Sequence, residues 1–157
     1  MNVLAIDAAT HLGWCLREHG RLEHGVEDFS PKRGESAGMR WLKFRRWLDY
    51  IAGERFTPDL VVYESWVASH TGGSAEITAG FTTRIVEFCT ERKIEHAGVA
   101  PSQLKKWTTG KGNASKPLMV AAVCRRWNVR IDDHNEADAY ALMMFALSEL
   151  VPTSARG

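Results

Sequence analysis

Two short apolar runs, far apart in the chain, each stop at a carboxylate. Val3-Leu4-Ala5-Ile6 ends at Asp7, and Leu60-Val61-Val62-Tyr63 ends at Glu64. Runs of this length and composition, bounded by polar residues, read as buried strands. In an open α/β sheet, side chains at strand ends project into a crevice where ligands collect. If the two strands are parallel neighbours, their terminal carboxylates lie side by side. Unpaired, such acids repel each other, and a divalent cation relieves the repulsion. Mg²⁺ in particular prefers carboxylate and water oxygens. The competing reading is that each acid only caps its strand or pairs with a base.

The rest of the pattern places these runs in an α/β sheet of mixed direction. Gly13 to Arg17 and Leu22 to Phe29 read as two further strands turning at His19-Gly20, and Ile94 to Val99 as a short fifth. Helical spacing covers Ser36 to Ile51, Ser74 to Lys93, a turn at Pro101 to Trp107, and Lys116 to Trp127. Gly110 to Asn113 reads as a loop. Asp133 followed by Glu136 has the spacing of a capping box opening a last helix that runs to about Leu150. Residues 1–151 form one domain on this reading, and 152–157 a loose tail. The small residues Ala75, Ala79 and Gly80 make the Ser74–Lys93 helix the candidate for a dimer interface.

Charge is segregated, although the formal net charge is only +1. Between Pro101 and Arg130 stand seven bases and no acid: Lys105, Lys106, Lys111, Lys116, Arg125, Arg126 and Arg130. Acids cluster at Asp132, Asp133, Glu136 and Asp138. One basic surface and one acidic pocket suit a polyanion partner and a bound metal. The longest apolar run, Ala139 to Leu147, is too short to span a bilayer. The N-terminus lacks the basic region of a signal peptide. Three cysteines without a C-x-x-C fit reduced thiols, and so a cytoplasmic setting.

Asp138 is the third candidate acid. It falls one turn inside the last helix, next to the apolar stretch, with Asn135 and His134 three and four residues back on the same face. A carboxylate at the edge of a core needs compensation, which a metal provides. Asp132 and Glu136 are explained by the helix dipole alone.

These residues resemble the RuvC family of Holliday junction resolvases, which have the RNase H-like fold. Ala5-Ile6-Asp7-Ala8-Ala9-Thr10 with Gly13-Trp14 is similar to the family's first acidic strand and the strand after it. Val62-Tyr63-Glu64 is similar to its second acidic strand. Pro101 to Lys116 resembles its proline-led turn, lysine-bearing helix, Thr-Gly-x-Gly loop and trailing lysine. Asn135-Glu136-Ala137-Asp138-Ala139 resembles its terminal acidic helix. The elements occur in order and cover nearly the whole chain, whose length and compact loops look like those of bacteriophage or prophage members. The resemblance implies an RNase H-like mixed five-stranded sheet flanked by helices, and a homodimer nicking opposed strands of a four-way DNA junction. It also implies two Mg²⁺ ions (Mn²⁺ as an alternative) held by Asp7, Glu64 and Asp138. Lys116 then supports the scissile phosphate, with Lys106 or Lys105 second, and Lys111, Arg125 and Arg126 join the DNA-binding set. The family has an acid or histidine where this chain has Asn135, so the fourth ligand stays open between Asn135 and His134. Trp66 and Trp107 are candidates to wedge at unstacked junction bases.

Three rival readings remain. A nuclease of the same fold with relaxed choice would cut forks and flaps. An actin-like ATP-binding module also begins with a strand, an Asp and a turn, but Asp7-Ala8-Ala9-Thr10 lacks the phosphate-loop glycine, so no nucleotide cofactor is expected. A non-catalytic junction binder is the third.

Overall fold

A computed structural model describes residues 1–65 and 73–155, so Trp66 lies outside the described residues. Five strands form one sheet: β1 (Val3–Asp7), β2 (His11–Glu18), β3 (Arg21–Asp28), β4 (Leu60–Glu64) and β5 (Glu95–Val99). The order is β3-β2-β1-β4-β5. β1 pairs antiparallel with β2 and parallel with β4, which in turn pairs parallel with β5. The helices are α1 (Met39–Asp49), α2 (Gly73–Arg92), α3 (Pro101–Thr109), α4 (Lys116–Trp127) and α5 (His134–Phe145). π-helical turns prolong α1 to Glu54 and α5 to Leu150.

Because strand side chains alternate, each buried strand feeds two cores. Val3, Ala5, Leu60 and Val62 face α3, α4 and α5, where Leu104, Met119, Val123 and Leu142 close over them. Leu4, Ile6, Val61 and Tyr63 face α1 and α2. There the fully buried rings of Phe44, Phe81 and Phe88 each contribute about 1.5–3 kcal/mol relative to exposure. The parity settles the site. Asp7 and Glu64 continue the first set, so both belong to the face that α5 covers.

Within the expected tail, Thr153–Ala155 form a 3₁₀ turn and the Met1 ammonium donates to the Ala155 carbonyl at 3.4 Å. Two sequence expectations change. The short helix expected at Pro101–Trp107 extends to Thr109 and ends at the left-handed Gly110. Gly80 packs inside the chain, because a Cβ there would enter the Trp41 ring. At that position the small-residue face of α2 admits α1 and is not left open for a second copy.

Candidate active site

β1 and β4 run in register, Val3 opposite Leu60 through Ile6 opposite Tyr63. One step further along the same ladder are Asp7 and Glu64. Strand direction and parity thus bring together two carboxylates 57 residues apart in sequence. The third arrives on α5. Asp133 caps that helix, its Oδ1 accepting the N–H of Asn135 at 2.8 Å and of Glu136 at 3.1 Å. Two histidines then tie the helix start to β2 and β3. His11 Nε2 meets Asp133 Oδ2 at 3.1 Å, and His24 Nδ1 meets Glu136 Oε1 at 2.6 Å. The reciprocal half of the capping box is therefore absent, because the Glu136 carboxylate goes to β3. Neither histidine was singled out from sequence. Only the strand register, with His24 opposite Cys15 on the α5 side, shows that His24 can reach the helix.

The three acids feel one another. Asp7 is nearly buried at 8% exposure, and burial, Glu64, Asp138 and Asp133 together hold its pKa well above the usual carboxylate range, against the opposing charge of Lys116. Burial also raises Glu64, with Lys105 opposing. Asp138 is pushed up to about 7, by burial first and then by Glu64, while Lys105 and Lys116 pull it down. Its buried Oδ1 has no hydrogen-bond partner among the described residues. Hard oxygen donors, mutual repulsion and an orphaned buried oxygen are what a divalent cation would satisfy, so the residues fit such an ion. Among the described residues, however, no three His, Cys, Asp or Glu side chains already stand close enough to hold one ion.

The chain superimposes on Thermus thermophilus RuvC with a TM-score of 0.69 over 93% of this chain and 95% of that one, at 21% identity. T. thermophilus RuvC in complex with a Holliday junction substrate gives 0.71 at 21% identity, covering 90% of each chain. The fold is that of RuvC. A yeast mitochondrial Holliday junction resolvase is more distant, with a TM-score of 0.53 at 16% identity over 89% of this chain and 75% of that one. No family model and no curated protein sequence matches the chain. The expected RNase H-like architecture, a mixed five-stranded sheet flanked by helices, is the one observed.

Within this RuvC-like fold the basic candidates divide. Lys116, first residue of α4, acts on Asp7 and Asp138, and Lys105 on Glu64 and Asp138. Lys106 instead lines a crevice with Trp107, Phe145 and Leu150. Lys111 follows Gly110 in the exposed loop, and Arg125 is exposed in the last turn of α4. Arg126 is engaged within the chain, lying 4.2 Å from the Trp107 ring centre and donating to the Trp107 carbonyl at 2.9 Å. Trp107 itself is half-buried against the core, stacking on Trp127 with centroids 5.9 Å apart and meeting Phe145 edge-on at 5.4 Å, so its ring is held within the chain. His134 faces Lys116, Asp133 and His11, and burial and Lys116 hold its pKa below the usual value. The Asn135 backbone presses onto the sheet beside Asp7.

Proposed function

We propose that the chain is a divalent-metal-dependent endonuclease that resolves four-way DNA junctions by paired, symmetric nicks, working as a homodimer. The observation that carries this reading is the parallel register of β1 and β4, which sets Asp7 and Glu64 at neighbouring strand ends on the face that α5, with Asp138, covers, where Lys105 and Lys116 oppose the charge of the acids. The fold's likeness to RuvC, including RuvC in complex with a Holliday junction substrate, supports the substrate class.

Asp7, Glu64 and Asp138 would hold the cations, Mg²⁺ or Mn²⁺, with Asn135 or His134 as the remaining donor. Such ions supply an activated water and neutralise charge at the phosphate. The chain's own residues do the rest. Lys116 and Lys105, whose charges oppose those of the acids, would offset charge as it develops on a scissile phosphate bound there. Neighbouring Lys106, Lys111 and Arg125 remain candidates for backbone phosphate contacts, which position DNA without reading its sequence. Burial of the carboxylates keeps bulk water away and strengthens each of these interactions.

The test is a nicking assay on a synthetic four-way junction, a fork and a linear duplex at matched salt, with Mg²⁺ and Mn²⁺ added separately. Paired nicks on the junction, lost in Asp7→Asn while junction binding persists, are the expected result. Equal cutting of fork and junction would favour the relaxed nuclease. Binding without cleavage in either metal would favour the non-catalytic junction binder, the reading that the open spacing of the acids supports. Full activity in Asp7→Asn would refute the metal role of that residue.

A further inference from the structure

Beside the carboxylates, a crevice of about 510 Å³ opens between α4 and the segment leading into α5. Lys116 lines its mouth and also acts on Asp7 and Asp138, so the crevice adjoins the acidic site. One wall is apolar: Pro117, Val120 and Ala121, spaced three and four residues apart, share a face of α4. The opposite wall carries Asp132 and His134. Asp133, also on this wall, is already committed to the cap of α5 and to His11. Asp132 is exposed and makes no hydrogen bond or ion pair among the described residues.

On the nuclease reading above, we propose that this crevice receives a single nucleobase next to the scissile phosphate, and that Asp132 makes it selective for a base bearing an exocyclic amino group. The volume falls within the ordinary range for small-ligand pockets, ample for one base. The small aliphatic wall offers a flat surface for the base face, and Lys116 holds the backbone phosphate at the entrance. A carboxylate only accepts hydrogen bonds. It therefore suits cytosine, adenine or guanine, whose amino groups donate. Thymine is disfavoured because its single ring N–H lies between two carbonyl oxygens that repel the acid. Asp132 is thus a specificity-determining residue, and catalysis is left to the neighbouring site.

Junctions carrying each of the four bases at positions flanking the cut are digested, and the products mapped. The wild type should disfavour thymine at one position by about tenfold, and Asp132→Ala should flatten that preference. Identical base profiles in the two proteins would overturn the proposal. If the wild type cuts no DNA at all, the nuclease reading fails on its own, and a binding measurement decides the crevice. Tetradeoxycytidylate should shift the NMR methyl signals of Val120 and Ala121 in the wild type more than tetrathymidylate does, and Asp132→Ala should abolish the difference. Equal shifts with both oligonucleotides, or shifts with free deoxycytidine monophosphate but not with the oligonucleotide, would reject a base delivered by DNA.

Discussion

Gly13 stands opposite Asp7 in the β1–β2 ladder, and a Cβ on Gly13 would land on the carbonyl oxygen of Asn135. The missing side chain lets the first turn of α5 press onto the sheet beside the first acid, which sets how near Asp138 comes. Gly13→Ala has no soft neighbour to displace, because the obstacle is backbone, with the Glu136 nitrogen also within 2.8 Å. A loss of about 1–3 kcal/mol is expected from such overpacking, read as a lower midpoint in chemical denaturation. Cleavage should fall further than the stability loss accounts for. A variant as stable and as active as the wild type would show that α5 can be displaced without consequence.

The acids set a pH dependence whose sign follows from their shifts. Asp138 titrates near 7 in the fold against an ordinary 3.8, so the folded protein keeps a proton that the unfolded chain has lost. Its stabilising contribution is full below pH 3.8 and disappears as pH rises through about 7. Asp7 and Glu64 shift in the same direction. Without added metal, the melting temperature should be several degrees higher at pH 5 than at pH 8. Asp138→Asn should narrow that gap by stabilising the protein at pH 8 while removing cleavage. Mg²⁺ at pH 8 should raise the wild-type melting temperature and leave Asp138→Asn much less affected. A pH-independent melt would contradict the coupling.

Adjacent lysines should behave differently. Lys105 acts on Glu64 and Asp138, whereas Lys106 borders the Trp107 crevice. In single-turnover cleavage, Lys105→Ala and Lys116→Ala should each lose on the order of 100-fold, typical of removing one preorganised charge. Lys106→Ala should stay within about threefold, the scale of a single exposed phosphate contact. Reversal of the order for 105 and 106 would mean that α3 is rotated in the DNA-bound protein.

Trp107 offers a test of core against wedge. Its ring is held by Trp127, Phe145 and Arg126, and its Nε1 donates to Glu149 at 3.3 Å. Trp107→Ala should cost about 3 kcal/mol of stability, with junction affinity altered only in proportion to unfolding. Lost junction binding at unchanged stability would restore the wedge.

Several features were legible from local pattern. The two acid-terminated runs, the turn at His19-Gly20, the Asp133 cap and the acid-free basic stretch are written in residues next to one another. Short-range rules of strand alternation and helix capping act within a few positions, so these features can be read without knowing the partner. Even the gathering of Asp7 and Glu64 follows once β1 and β4 are accepted as parallel neighbours.

The fold alone decided what depends on distant packing. Glu136 had the spacing to close its own cap but met His24, 112 residues away in sequence, at 2.6 Å. Gly80, suited to an open helix face, was filled by Trp41. Of two identical neighbouring lysines, helix rotation turned Lys105 to the acids and Lys106 to the aromatic crevice. In each case two chemically adequate outcomes compete within the chain, and the choice between them is made by which surface another element covers. That information lies in long-range burial, where no local periodicity can reach it.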